Sequence, residues 1–346
     1  MTAMKNSQKK LEMSQKIKNL MELLENDITA AYAKWTLFIA ACQSYKFDSC
    51  LRPFPPMFLD KEKDMNSLLA VVDRTPSFTL FKKVLTSAKS SLIADVIELV
   101  HWVLIQSKGP SFKSIAKNQF ESVLSKVPSD GPAKRPDYIY EVVYPENSGL
   151  SIKWNNFKEE YGSLYAYHGS KLENFHSIIN NGLLLSLTKT ALFGPGVYLS
   201  SELLVSLPYS STGFGWGKSL MGGELSVVAL CEAINHPSVH CQTKSGDKSR
   251  ALANDSMAGE VPHKYYVVAN SDMVRVRYLL FYTRSVPKPE YSGKMRQASW
   301  FSWIGQHKLL AGIFGYVILL ASLGLSNNQN VMRYYRMFLN KAGLLS

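Results

Sequence analysis

The sequence predicts an α+β protein: an N-terminal all-helical domain, a block of mainly antiparallel strands with short helices, and a C-terminal transmembrane helix. Three observations carry this prediction. Apolar residues recur at helical spacing in the first part of the chain, as in Ile28, Ala31, Tyr32, Trp35, Phe38 and Ile39. Beyond Pro136 the texture changes to short runs rich in β-branched and aromatic residues. Near the C-terminus, Leu309 to Leu325 runs for 17 residues without a charge.

In chain order, the helical pattern extends from Ser14 to Ser107 and returns in Leu92, Ile93, Val96, Leu99, Val100 and Val103. Three prolines between Arg52 and Phe58 interrupt it, and so does Thr75–Pro76. A further helix is expected over Phe112–Lys126, ahead of the breaker stretch at 128–132. Strands are expected at 138–144, 164–168, 225–231, 265–269 and 274–282. The polar, basic stretch from His236 to His263 reads as a long surface loop. This gives a helical domain at 1–108, a second domain at 109–286, a linker at 287–303, a membrane span at 304–325 and a short tail at 326–346.

With 46% hydrophobic and 19% charged residues among 346, the chain can bury a full core, which excludes global disorder. The net charge of +12 reads as a solvated surface bias, and nucleic acid is not the expected partner. The four cysteines form no CxxC pair, which favours a reduced, cytosol-facing protein. His236, His240 and Cys241 crowd together, but Pro237 disfavours a shared helical face, so no metal is expected. The uncharged run would span about 25 Å at a helical rise of ~1.5 Å per residue, short for an average bilayer but close to the thinner endoplasmic-reticulum core. Trp300, Trp303 and Tyr316 are suitable interface anchors, with Lys308 able to snorkel. Only 21 residues follow the run and the N-terminus carries no secretory signal, so a tail anchor with a cytosolic N-terminal part is expected.

The chemistry concentrates in two motifs. The first is Tyr167-His168-Gly169-Ser170, at the end of a strand and ahead of the helical pattern of Leu172, Phe175, Ile178 and Ile179. Ser170 and Glu173 have capping-box spacing, and Gly182 stands where a helix would terminate. The second is the run from Leu192 to Ser201 (LFGPGVYLSS), with Ser206 and Tyr209 eight and eleven residues beyond Tyr198. Its glycines permit close backbone approach, and two tyrosines on neighbouring elements could sandwich a flat heteroaromatic ring. Alone, either motif is compatible with a mere helix cap or an ordinary turn.

Together, and in this order, they resemble the NAD signature of the poly(ADP-ribose) polymerase family. The resemblance implies a catalytic domain of two packed, mainly antiparallel sheets with NAD as co-substrate and no metal. It implies that His168 bonds the adenosine ribose, the Gly169 backbone holds the nicotinamide carboxamide, Ser206 assists there, and Tyr198 and Tyr209 pack the nicotinamide ring. Ser170 is counted with these NAD-binding residues. The family's third motif position, glutamate in true polymerases, falls on Tyr265. A tyrosine cannot replace the carboxylate that activates an acceptor ribose, so the expected product is a single ADP-ribose on a protein side chain. His168, Tyr198 and Tyr265 are thus the expected catalytic residues.

The stretch 40–55 (AACQSYKFDSCLRPFP) and the hydrophobic C-terminal run extend the resemblance to the tail-anchored endoplasmic-reticulum and nuclear-envelope branch of that family. That branch implies automodification and action on endoplasmic-reticulum stress-sensor kinases in the unfolded protein response. Two other classes stay open: a catalytically weak NAD-binding membrane scaffold, and an RNA-directed transferase of related fold.

Overall fold

The computed structural model describes residues 2–87, 93–107, 109–128, 134–146, 149–185, 192–242, 249–253 and 255–284. Among these residues no helix is both long and apolar enough to cross a membrane. The expected linker, span and tail at 287–346 lie outside them.

The helical block begins with α1 (Thr2–Asn26) and α2 (Ile28–Cys42). Asp27 separates them, and its carboxylate accepts the Ala30 N–H at 2.9 Å as the N-cap of α2. Every residue of α2 from Ala30 to Cys42 is buried, so this helix is a core element and not a surface helix with one apolar stripe. Around it lie α3 (Phe47–Cys50), α4 (Met65–Arg74), α5 (Phe78–Leu85) and α6 (Ala94–His101), the last running into a π-helical turn at Trp102–Gln106. Helix α4 stops before Thr75–Pro76, where the proline dipeptide predicts a break.

The expected helix over Phe112–Lys126 is corrected. Ser111–Ser114 is strand β1, and a 3-10 turn at Lys117–Gln119 leads into the short helix α7 (Phe120–Leu124). The reason is pairing: β1 lies antiparallel to β2 (Tyr138–Val143), with Phe112 opposite Val142, and an edge strand with one large apolar residue carries little signal of its own.

After α8 (Gly149–Tyr161) come β3 (Ser163–Gly169), α9 (Phe175–Asn181), β4 (Val197–Ser200), α10 (Leu203–Ser206) and β5 (Gly213–Phe214). The chain then forms β6 (Glu224–Ile234), β7 (Val239–His240), β8 (Tyr265–Val268) and β9 (Val274–Thr283). All pairings are antiparallel, in the order β1-β2-β9-β6-β3-β4-β8-β7 with β5 on β6. The expected two packed sheets are therefore one hydrogen-bonded sheet of nine strands, eight in a single path with β5 branching from β6. Its slightest link is β3 to β4, where Tyr167 opposite Ser200 is the one partner pair.

The period of two along each strand divides the side chains between two cores. On β6, Val227, Ala229, Cys231 and Ala233 join the core that contains α2, while Val228 and Leu230 join a second core with Phe120 and Val123 of α7 and Leu203 of α10. Both faces of the central strands are thus covered. The helical block docks through rings: Trp216, from the loop between β5 and β6, has centroids 5.1 Å from Phe78, 5.7 Å from Tyr32 and 6.0 Å from Trp35. Gly215 permits this approach, because a Cβ there would lie 2.5 Å from Thr36 Cγ2.

The stretch 236–263 is not all surface. Val239, Cys241, Ala251 and Val261 are buried, and β7 pairs with β8. The four cysteines are free and buried.

Candidate active site

The site is built where β3 ends. His168 and Gly169 are its last residues, paired with Ala229 and Val228 of the long central strand β6, so their backbone is fixed by the most deeply buried part of the sheet. The capping box expected from Ser170 and Glu173 does not form. A 3-10 turn at Leu172–Asn174 intervenes before α9. Ser170 Oγ instead accepts from Asn174 Nδ2 at 3.0 Å, and its N–H donates to Ser210 Oγ at 3.2 Å. Helix α9 does end at Gly182, whose φ of +80° lies where glycine is favoured and whose N–H donates to the Ile178 carbonyl.

His168 Nδ1 lies 3.0 Å from the Tyr198 carbonyl oxygen. A carbonyl only accepts, so Nδ1 carries the proton and Nε2 is left as an acceptor. Burial lowers the pKa of the ring against the smaller upward pull of that carbonyl, so the imidazole is neutral at physiological pH. A neutral Nε2 suits a hydroxyl donor such as a ribose.

Gly169 is confined more tightly still. A Cβ there would collide with the Ser206 backbone carbonyl oxygen and lie 2.9 Å from Tyr209 Cβ. Ser206 is buried at the end of α10, and it is its backbone that approaches Gly169. Tyr209 closes the next turn and is 64% exposed. The result is a close backbone-to-backbone approach of β3 and the end of α10 that any side chain at 169 would break.

Tyr198 stands on β4. Its hydroxyl donates to the Gly194 carbonyl at 2.8 Å and accepts the Phe193 N–H at 2.9 Å, which fastens the Gly-Pro-Gly turn to the strand. Gly194 has φ +98°, and a Cβ on Gly196 would lie 2.5 Å from Val267 Cγ1, so both glycines are needed. Tyr265 opens β8 directly opposite Ser200. Burial, with the nearby Tyr209 phenol second, raises its pKa, so it remains a neutral hydroxyl.

Sequence reasoning missed Ser200. This buried hydroxyl donates to the Lys264 carbonyl at 2.9 Å and accepts the Glu202 N–H at 3.0 Å, which ties the residue before Tyr265 to the entry of α10. The doubled serine at 200–201 was the available signal. Asn174 was missed as well: it connects Ser170 to Cys50 of the helical block, whose thiol donates to Asn174 Oδ1 at 3.2 Å. All seven expected residues, His168, Gly169, Ser170, Tyr198, Ser206, Tyr209 and Tyr265, thus gather around the end of β3. Among the described residues, no three side chains of His, Cys, Asp or Glu come together to hold a metal.

Residues 117–284, which contain this site, match the poly(ADP-ribose) polymerase catalytic domain, and residues 22–104 match the ARTD15 N-terminal domain. Over 317 residues the chain is 41% identical to the protein mono-ADP-ribosyltransferase PARP16 of Mus musculus, covering 89% of this chain and 93% of that one. The chain belongs to the poly(ADP-ribose) polymerase family. The PARP16 of Homo sapiens is 39% identical over 324 residues, covering 91% of this chain and 95% of that one. The protein mono-ADP-ribosyltransferase PARP8 of Mus musculus is 29% identical over 169 residues, 39% of this chain and 18% of that one. As a member of the family, the chain is an NAD-dependent ADP-ribosyltransferase.

Proposed function

We propose that the chain transfers one ADP-ribose from NAD to protein side chains, itself included, and does not extend it to a polymer. The observation that carries this reading is Tyr265: a neutral phenol stands at the start of β8, where a polymerase would place a carboxylate. The mono-ADP-ribosyltransferase names of its full-length relatives support it.

In the reaction, the bond between the ribose anomeric carbon and the nicotinamide nitrogen breaks, and its electron pair leaves with neutral nicotinamide. A lone pair of the acceptor side chain forms the new bond to that carbon and gives up a proton to solvent. His168 Nε2 orients the adenosine ribose, the Gly169 backbone and Ser206 hold the carboxamide, and Tyr198 and Tyr209 flank the ring. These residues fix the leaving group while positive charge develops on the sugar, an electrostatic and positional contribution without proton transfer by the enzyme. Tyr265 donates a hydrogen bond to the nicotinamide-side ribose; as a protonated phenol it is no general base.

The tail 304–325 is proposed as a single-pass anchor in the endoplasmic-reticulum membrane and nuclear envelope with the catalytic block facing the cytosol. Membrane-associated proteins, stress-sensor kinases among them, would then be the acceptors within reach. Incubation of the full chain with labelled NAD, followed by mass spectrometry of modified peptides, tests the chemistry. Single ADP-ribose adducts that vanish in His168→Ala and Tyr198→Ala support the reading. Polymer ladders, or undiminished labelling in those variants, would refute it.

A further inference from the structure

Lys34 is a buried ammonium in the middle of α2, among buried residues that are apolar except for Thr36. Its Nζ donates to the carbonyls of Leu104, at 3.4 Å, and Pro110, at 3.2 Å. An ammonium has three N–H groups, and among the described residues neither a third acceptor nor a carboxylate partner meets it. Desolvation alone holds its pKa down to about 8, and it is still largely charged at neutral pH. A buried charge without a counter-ion is costly, and two carbonyl dipoles offset that only in part.

This ammonium lines a cavity of about 380 Å³ between α1, α2, the π-helical turn and β1. The size is within the range of small-molecule sites. Leu23, Leu104, Ile105 and Phe112 supply apolar walls, and the exposed Ser111 stands at the mouth. Two carboxylates also reach the lining, and neither neutralises Lys34. Asp27 is engaged by the Ala30 and Ser114 N–H groups, at 2.9 and 2.7 Å, and by Ser114 Oγ at 2.6 Å; Glu22 is exposed.

We infer that this cavity is a binding site for a small organic carboxylate with an apolar body, whose carboxylate meets the Lys34 ammonium. The single cation of the lining, with one free N–H, matches one carboxylate. A dianionic phosphate ester calls for more than one cation, and among the described residues Lys34 is the one cation of the lining, with no arginine beside it. None of the residues holding NAD takes part, so the two sites are separate.

Equilibrium dialysis of radiolabelled phenylpropanoate against the detergent-solubilised full chain, with micelle blanks, tests this. The expected result is one saturable site per chain, unaffected by NAD, and not competed by phenylpropanol of the same shape. Lys34→Met should weaken binding at least about tenfold, the loss of one charge-assisted hydrogen bond. Because Lys34→Met removes a buried group and could compromise folding, Ser111→Trp provides a second variant that closes the mouth from an exposed position and should weaken binding equally. No saturable binding up to about 10 mM, the weak end of measurable affinity, would overturn the inference. So would displacement by NAD, equal competition by the alcohol, or undiminished binding in either folded variant.

Discussion

Gly169 shows how a single residue can be fixed by what surrounds it. Its α-hydrogen faces the Ser206 carbonyl, and no rotamer relieves a Cβ there because the obstacle is backbone. Gly169→Ala must push α10 and Tyr209 outward, and displacements near 1 Å in such sites cost about 10²-fold in rate. The expected outcome is a folded chain, by circular dichroism, whose NAD turnover falls by about that factor; near-normal turnover would show that the Gly169 backbone does not hold the carboxamide. That His168, Gly169, Tyr198 and Tyr209 come together was legible in the sequence, because ordered spacing survives without coordinates. Ser200 and Asn174 were not, because their work is done on partners 64 and 124 positions away.

At the scale of elements, the clearest strands were those whose composition agrees with their burial, such as β6 and β9. Strand β1 was misread as helix because its conformation is imposed by β2, and the start of α9 was placed too early because a 3-10 turn delays it. Helix α9 also anchors the proline-rich segment of the helical block: His176 Nε2 lies 3.1 Å from the Pro53 carbonyl, and Asn181 Nδ2 donates to the Arg52 carbonyl at 3.0 Å. Burial pushes the His176 pKa from 6.5 to about 4, with the Pro53 carbonyl pulling weakly upward. A folded-state value below the unfolded one means that the unfolded chain binds the proton first. Stability is therefore full above pH 6.5 and is lost progressively down to about pH 4, by roughly 3 kcal/mol at ~1.36 kcal/mol per pH unit. Denaturant titrations at pH 7.5 and at about pH 5 should show this fall, and His176→Gln should flatten it.

For the whole molecule, the division into a helical and a strand block describes composition better than packing. Residues of α2, α9, β6 and β9 belong to one continuous core, and the Trp216 dock was invisible beforehand because its four rings come from positions 32, 35, 78 and 216. Removing 287–346 takes away none of the residues proposed to hold NAD. The truncated chain is expected to lose membrane attachment in cell fractionation while keeping self-labelling. Membrane association that persists in the truncated chain would place the anchor elsewhere.

The slender link between β3 and β4 governs where backbone amides exchange first. His168 and Gly169 are on one side of it and Tyr198 on the other, with Tyr167 opposite Ser200 as the one rung of the ladder between them. Opening there breaks few hydrogen bonds, whereas parting β3 from β6 breaks a ladder running from Ser163 to Gly169. The β4 amides on the side facing β3 should therefore exchange long before those of β6, whereas those paired to β8 are held by four partners, and NAD bound across β3 and β4 as proposed should slow the former. On that binding mode the dinucleotide would supply the cross-strand tie that the ladder lacks.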